Sequence, residues 1–480
     1  AVRSLAPHLA RLKNATMAFF NGLLRLRGRP AVCQGIPADR SRLIDRAPMP
    51  ESICFRSPRI LGWQASNLKM AGPPVGSGIF LPRMQRAEHK HEDPVMNYRF
   101  RLALSAALAL LIGGASVAEE KPSNMSFKRT QLDAKFRSEG ACVGDFNGDG
   151  KLDIGAGSVY YAAPDWKMTP VLEKAEEFDP HNYSVSFCNF AEDINGDGRS
   201  DLVVVGFPGK ETWWFEQPEK AGAPFKRHEC TPITNNESPS FLDIDGDGKR
   251  ELLLGYDPGK YIGYAKPSAT ELWKLTPVSA SGAPGTERFS HGIGAGDINR
   301  DGRTDVLVVD GWWEAPADKA QTTWVFHPVK FGEQCSQMHV YDFDGDGDND
   351  VLSSSAHQVG MWWHEQSPAG WKTHLISDAF SQTHSLCLAD INGDKLPDFI
   401  TGKRWWAHGP KGDARPDEPA VVFWFELTRK DGKPVWIPHE IDHDSGVGTQ
   451  FEVADVNGDG LLDVVSANKK GAHYFEQVRK

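Results

Sequence analysis

Short hydrophobic runs of strand length recur along this chain, each released by an acidic turn: Asp201-Leu-Val-Val-Val, Asp305-Val-Leu-Val-Val and Asp463-Val-Val. β-branched runs bounded by Asp, Asn and Gly predict strands rather than helices. Around each turn the pattern changes in a fixed order. One strand enters the turn, as in Ser240-Phe-Leu-Asp-Ile, and a second leaves it, as in 202–206. A third is aromatic: Thr212-Trp-Trp-Phe-Glu, Met361-Trp-Trp-His-Glu and His473-Tyr-Phe-Glu. A fourth follows: Phe225-Lys-Arg-His-Glu, Trp371-Lys-Thr-His-Leu and Trp436-Ile-Pro-His-Glu.

The turn is a nine-residue motif, D-x-[ND]-x-D-x-x-x-[DE], that occurs seven times with starts 45–65 residues apart. A period of this size marks a repeat array. Four strands repeated seven times predict an all-β fold, a seven-bladed β-propeller of four-stranded antiparallel blades. The last copy stops after its third strand, at Glu476, and the missing strand stands before the first turn, at Phe127-Lys-Arg-Thr-Gln-Leu132. The N-terminal strand is therefore expected to complete the last blade and close the ring, leaving no open edge.

Each turn gathers side-chain oxygens at positions 1, 3, 5 and 9. They are Asp145, Asn147, Asp149 and Asp153 in the first copy, and Asp193, Asn195, Asp197 and Asp201 in the second. The third has Asp243, Asp245, Asp247 and Glu251, and the fourth Asp297, Asn299, Asp301 and Asp305. The last three have Asp342, Asp344, Asp346 and Asp350; Asp390, Asn392, Asp394 and Asp398; and Asp455, Asn457, Asp459 and Asp463. With a backbone carbonyl at position 7, such a set suits Ca²⁺, which takes six to eight oxygens. Up to seven structural Ca²⁺ ions are expected. Gly150, Gly198, Gly248, Gly302, Gly347 and Gly460 supply a tight left-handed bend at position 6. The sixth copy has Lys395 there and the fourth has Arg300 at position 4, so affinities should be unequal and the Asp390 loop weakest. Asp, Asn and Gly also favour turns without any metal, but seven regular copies argue for more than turn formation. The flanking strands exclude an EF-hand, which needs helices and a Glu at position 12.

The formal net charge is −11, with the acids concentrated beyond residue 95. Beyond residue 95 there are 38 Lys+Arg and 58 Asp+Glu, a net of −20 that seven divalent ions (+14) would bring to −6, and no Lys/Arg stripe indicates a nucleic-acid partner. Residues 1–95 are rich in Arg and Pro and show no repeat. They read as an upstream or disordered segment outside the mature protein. Residues 96–118 read as a signal peptide: a basic start at Met96-Asn-Tyr-Arg-Phe-Arg, an apolar stretch over 102–112, and small residues up to Ala118. The mature protein, 119–480, is then secreted or periplasmic, with no stable membrane insertion after cleavage. The rival reading keeps 1–95 as a cytoplasmic segment and 102–118 as an anchor, in line with the positive-inside rule. Beyond residue 118 stand Cys142, Cys188, Cys230, Cys335 and Cys387, an odd number that reads as buried free thiols. No CxxC pair supports a zinc module.

The repeated D-x-N-G-D-G-x-x-D resembles the FG-GAP or VCBS repeat propellers over residues 124–480. More narrowly, Phe289-Ser-His-Gly-Ile-Gly-Ala-Gly-Asp, Asp310-Gly-Trp-Trp-Glu-Ala-Pro, Thr401-Gly-Lys-Arg-Trp-Trp-Ala-His-Gly and Asp442-His-Asp-Ser-Gly-Val-Gly-Thr-Gln are similar to a bacterial, planctomycete-type subgroup. That subgroup resembles the propeller domain of aldos-2-ulose dehydratase, and nothing in the chain matches that enzyme's cupin domains.

In a propeller the acidic turns cap one face, and chemistry belongs on the other. Six residues before each turn stand Glu139, Phe187, Glu237, His291, Ser336, His384 and Thr449, all expected to face a central funnel. The loops between second and third strands add Tyr256, Asp257, Asp310, His357, Lys403, Arg404 and Lys469. The long sixth period contains an insertion over 407–420 with His408, Lys411, Asp413 and Arg415, and long loops in compact repeats are usually functional or disordered. Two readings follow. The funnel binds a ligand, a carbohydrate or other small molecule, without converting it. Alternatively it is a metal-assisted lyase that dehydrates a keto-sugar such as an aldos-2-ulose or anhydrofructose. In that case His291, His384 and His357 are candidate base, acid or Zn²⁺ ligands, joined by Glu139 and Glu237. Lys403 and Arg404 would stabilise an enolate, and Trp313 or Trp406 would stack on the sugar. Each of these histidines could equally be a packing residue. Serine hydrolase, nucleotide-binding and zincin motifs are absent.

Overall fold

Strands form where the hydrophobic runs place them. The computed structural model describes residues 125–319, 321 and 323–479. The chain there is all-β, and the one helical turn among the described residues is the 3-10 stretch Gly409–Lys411. The expected leader 96–118 and segment 1–95 lie outside the described residues. No helix among the described residues is long and apolar enough to cross a membrane.

Each acidic loop joins the first and second strands of an antiparallel four-strand meander. In the first repeat these are Cys142–Gly144, Asp153–Ala156, Val159–Ala162 and Lys167–Pro170. In the last they are Phe451–Ala454, Asp463–Asn468 and Gly471–Arg479, with Met125–Asp133 as the fourth. Phe127 stands opposite Gln477, so the first strand of the described chain completes the repeat that lacks one. Two sheets exceed four strands. One has seven because Lys226–Leu242 is the last strand of one meander and continues as the first of the next. The other has eight because two first strands, Ile293–Gly296 and Gln337–Tyr341, pair in parallel.

The core lies between neighbouring meanders. Val143 and Tyr161 of the first pack against Val465 and Tyr474 of the last. Trp214 packs with Phe241 and Leu252 of the next repeat. Burying each such side chain contributes about 1.5–3 kcal/mol. Trp313 belongs here: it is 2% exposed, packed with Ile244 and Leu253, and so is no platform for a sugar. The expectation failed because alternate residues of an aromatic third strand point to opposite faces, and in this repeat Trp312 is covered as well.

A second device ties the outer strands together. Trp214, Trp312, Trp363 and Trp424 stack on His228, His327, His374 and His439 at 4.2–4.3 Å. Each of these imidazoles meets the Glu two residues beyond its Trp (Glu216, Glu314, Glu365 or Glu426) at 2.6–2.8 Å. The five cysteines among the described residues are free, and four are buried.

Candidate functional site

Two sets of polar residues stand apart by their chemistry. The first is the acidic loops. The position-one Asp folds the loop onto itself: Asp145 Oδ1 accepts the N–H of Gly148 and Asp149, and Oδ2 that of Gly150. The same bonds recur from Asp193 and Asp455. Positions 4 and 6 are left-handed, with φ of 74° at Gly148 and 82° at Gly150. Lys395 adopts φ 74° and Arg300 φ 62°, and the Lys395 N–H still reaches Asp390 Oδ2 at 2.8 Å. The loop shape thus survives without glycine, at a local cost of about 1–2 kcal/mol per residue.

The position-nine acids are fully buried. Asp201 Oδ2 accepts the Ile194 N–H at 3.2 Å and Oδ1 the Gln217 N–H at 2.8 Å, tying the turn to the end of the third strand. Burial outweighs these bonds and pushes Asp201 up to about 7 and Asp153 to about 6. Where position 3 is also Asp, the acids cluster: Asp243, Asp245 and Glu251, and Asp342, Asp344 and Asp350, place oxygens within 4.8 Å of one another. An oxygen-only cradle of this kind fits a hard cation such as Ca²⁺.

The second set is the funnel. Glu139, His291 and His384 precede the first strands and Glu237 lies within Lys226–Leu242, and the structure brings them together with His357 and Arg404 from the loops between second and third strands. Arg404 is the hub. Its Nη2 donates to Glu139 Oε2, and its Nη1 donates to His384 Nε2 at 2.9 Å and lies 3.5 Å from Glu237 Oε2. Glu237 Oε2 lies 3.4 Å from both His291 Nε2 and His384 Nε2. His357 Nε2 is 2.9 Å from His291 Nε2. The imidazole nitrogens of His291, His357 and His384 lie within 4.8 Å of one another, all buried.

Hydrogen-bond bookkeeping gives the tautomers. Arginine only donates, so His384 Nε2 carries a lone pair. His291 Nδ1 lies 3.0 Å from the Phe289 carbonyl and donates to it. In its neutral form His291 therefore also presents a lone pair at Nε2. Arg404 already meets the His384 lone pair, so the His291 lone pair and the Glu237 carboxylate are the acceptors left facing each other, which a proton between them would relieve. A His held by a carbonyl at its far nitrogen is the usual arrangement of a metal ligand, and His291 meets it; for all three imidazoles to hold Zn²⁺, Arg404 would have to release His384.

Burial opposes the Glu237 charge, and its carboxyl is held well below the usual range where the facing imidazoles, His291 first, act on it as N–H donors, which is the protonated form of the neutral arrangement above. Burial, then the Arg404 guanidinium, pushes His384 well down. Burial also opposes the Arg404 charge, and Glu139 and Glu237 more than restore it.

The insertion contributes Asp413, which sequence alone placed only in the same loop. Its Oδ1 sits 2.9 Å from His408 Nδ1 and 3.3 Å from His357 Nδ1. Burial would raise the Asp413 carboxyl, but His357 and His408 hold it far below its ordinary value. Lys403 is not brought to the cluster. Its Nζ turns back to Ser381 Oγ at 3.3 Å and to the Arg415 carbonyl, so it anchors the insertion. Lys469 anchors the other end through the Trp406 carbonyl at 3.3 Å, and burial lowers it to about 8. Asp310 pairs with Lys330 on the surface, and Asp257 with Asn235. Trp406 is half-buried and stacks on Trp405 at 4.2 Å.

A cavity of ≈ 590 Å³ opens onto this cluster, lined by Tyr183, Phe207, Phe289, Glu237, His357 and Asp413 among others. A second cavity of ≈ 580 Å³ shares Tyr183 and Phe207 with it. These aromatics lie in the segments leading into or out of the strands, where no repeat signal marks them.

Comparison with known proteins matches this architecture at the level of the repeat. Among solved structures, the chain is similar to an Agrocybe aegerita lectin that recognises non-reducing terminal N-acetylglucosamine, with 14% identity over 67% of this chain and 81% of that chain, TM-score 0.40. It is also similar to the exotype rhamnogalacturonan lyase YesX, with 12% identity over 73% of this chain and 75% of that chain, TM-score 0.40. A search of curated proteins found no match. The FG-GAP-like repeat family matches residues 193–254 and 342–401. Each match begins at one acidic loop and runs through the next, so FG-GAP-like repeats are present over these two stretches.

Proposed function

We propose that residues 119–480 form a secreted or periplasmic seven-bladed propeller, with Ca²⁺ in its acidic loops, that binds a carbohydrate or similar polyhydroxylated ligand in the funnel. The ring is supported by the order of the first strands. Cys142–Gly144 packs beside Cys188–Glu192 on one side and Phe451–Ala454 on the other, so the series returns to its start. Ca²⁺ would be held by the carboxylates and Asn oxygens of the loops and would neutralise acids that otherwise repel.

The carrying observation is the lining of the funnel. Phe289, exposed, and Tyr183, half-buried, each with one ring face covered by a cation (Arg288 or Lys469), stand beside a fixed set of buried donors and acceptors. Apolar ring faces stack on sugar rings while convergent polar groups fix hydroxyls. The test is calorimetric titration of the purified chain with mono- and oligosaccharides. Binding should appear, and Glu237→Gln should weaken it about 10-fold, the loss expected for a charged hydrogen bond. Absence of heat with every sugar at millimolar concentration would remove this reading.

A second reading is favoured by the His291 lone pair that faces the Glu237 carboxylate. A lyase acting on a keto-sugar removes a proton α to the carbonyl, breaks the neighbouring C–O bond and releases water, leaving an enone. His291 or His357 would take the proton, Arg404 would hold the enolate oxygen, and a protonated partner of the same cluster would hand a proton to the leaving hydroxyl. Alternatively, Zn²⁺ held by His291, His357 and His384 would supply Lewis acidity at the carbonyl, and those imidazoles would then serve as ligands rather than as the base. This reading matches the aldos-2-ulose dehydratase resemblance. It predicts enone absorbance from anhydrofructose or 2-keto sugars, and its loss in His291→Ala with the fold unchanged.

A further inference from the structure

The third acidic loop differs from its neighbours in one contact. The residue closing each third strand stands beside the acidic loop of its own repeat. In the second and sixth repeats it is Glu216 and Glu426, whose Oε1 atoms lie 3.4 Å from Asn195 and Asn392 at loop position 3. The register gives the equivalents elsewhere: Glu314, Glu365 and Glu476, with Ala162 in the first repeat. In the third repeat the position is Lys266, in register opposite Lys274 as Glu216 is opposite Lys226.

We infer that Lys266 is the resident cation of the third acidic loop, which therefore takes no divalent ion while Lys266 is present. Its Nζ lies 2.7 Å from Asp245 Oδ2, 2.5 Å from Asp247 Oδ2 and 3.7 Å from Glu251 Oε1. These are the acids at positions 3, 5 and 9, the same oxygens a metal would need. A second ammonium, Lys319 Nζ, holds the Asp245 carbonyl at 2.7 Å. Ammonium and Ca²⁺ cannot share this cradle, because like charges a few ångströms apart repel by several kcal/mol near a protein surface. Arg199 and Arg303 in the second and fourth loops are different. Each reaches a single acid of its loop, the position-five Asp197 or Asp301, and otherwise bonds a backbone carbonyl, that of Gln217 or Ala315, so neither guanidinium meets positions 3 and 9. The fifth loop is the natural control. It also has Asp at position 3, its acids cluster in the same way, and Glu365 stands where Lys266 would. The fifth loop therefore binds where the third does not, although their side-chain donors are nearly alike.

This inference rests on the calcium reading of the other loops. The experiment counts bound Ca²⁺ per chain by equilibrium dialysis and elemental analysis of the full chain. Lys266→Glu should gain a single ion over the wild type, and Glu365→Lys should lose one. Lys266→Met, which removes the charge without adding a ligand, should also gain one and covers a failure of Lys266→Glu to fold. No ion bound by the wild type would overturn the calcium reading and this inference together. Ions bound by the wild type, with the count unchanged in Lys266→Glu and Lys266→Met, would overturn this inference alone.

Discussion

The acidic loops and the funnel both concentrate charge, and they solve the resulting problem in opposite ways. In a loop, the carboxylates are all of one sign and accept bonds from backbone amides: the position-one acid stays partly exposed, as Asp145 does with four N–H groups, and the position-nine acid is buried. In the funnel, both signs are buried and satisfy one another, with Arg404 between Glu139, Glu237 and His384. A loop is local: nine consecutive residues contain nearly all of it. The funnel is global, because its members come from the first, third, fourth, fifth and sixth repeats. Damage to a loop should therefore stay small and repeatable, whereas damage to the funnel should be large and should couple stability to ligand binding.

The sharpest way to break that contrast is Arg404→Ala. It strands Glu139, 1% exposed, and Glu237, 9% exposed, without their cation. Removing one partner of a buried ion pair costs about 3–5 kcal/mol. Chemical denaturation should show a loss of this size together with loss of ligand binding. Loss of binding at unchanged stability would mean that Arg404 acts only on ligand and that the network adds nothing to the fold.

A loop substitution should cost less. Asp398 Oδ1 accepts the Leu427 N–H at 2.8 Å and Oδ2 the Ile391 N–H at 3.0 Å. Asp398→Ala removes both bonds and opens the space of the carboxyl to water, a net loss of about 0.5–1.5 kcal/mol per bond. The same change at Asp201 should cost a similar amount, since the bonds are the same. Very different losses at the two positions, measured by denaturation in chelator, would show that the repeats are not equivalent bricks.

The contrast also explains what the sequence could show. The loops, the four-strand order and the completion of the last repeat by Met125–Asp133 were legible because the same physical requirement is written many times. Glu139, Glu237, His291 and His384 were legible at one remove: each lies six residues before a loop, so register alone gathers them. Asp413 enters on an insertion with no counterpart in other repeats, and no register predicts where its tip returns. Lys403 and Arg404 are adjacent and equally basic, but alternate residues of an extended segment point to opposite sides. Only Arg404 reaches the cluster. The Trp–His–Glu clamps were half visible: the aromatic strand and the following His both appear in the sequence, and only strand pairing shows that they stack.

A third effect concerns a group between the two regions and is read as a dependence on pH rather than as an outright loss. Glu452 lies three residues before the last acidic loop, and its Oε2 accepts the Val143 N–H at 3.0 Å from the neighbouring repeat. Burial, only partly offset by that bond and by Arg250, pushes its carboxyl up to about 7. An unfolded Glu titrates near about 4.3. Between these values the folded chain keeps a proton that the unfolded chain has released. The contribution of Glu452 to stability is thus full below about pH 4.3 and is lost as pH rises through 7. Glu452→Gln, which cannot ionise, should be more stable than wild type at pH 8 and should flatten the decline in stability between pH 5 and 8. Parallel curves for the two proteins across that range would show that Glu452 ionises in the fold at no cost, and that the strand contact with Val143 is wet rather than sealed.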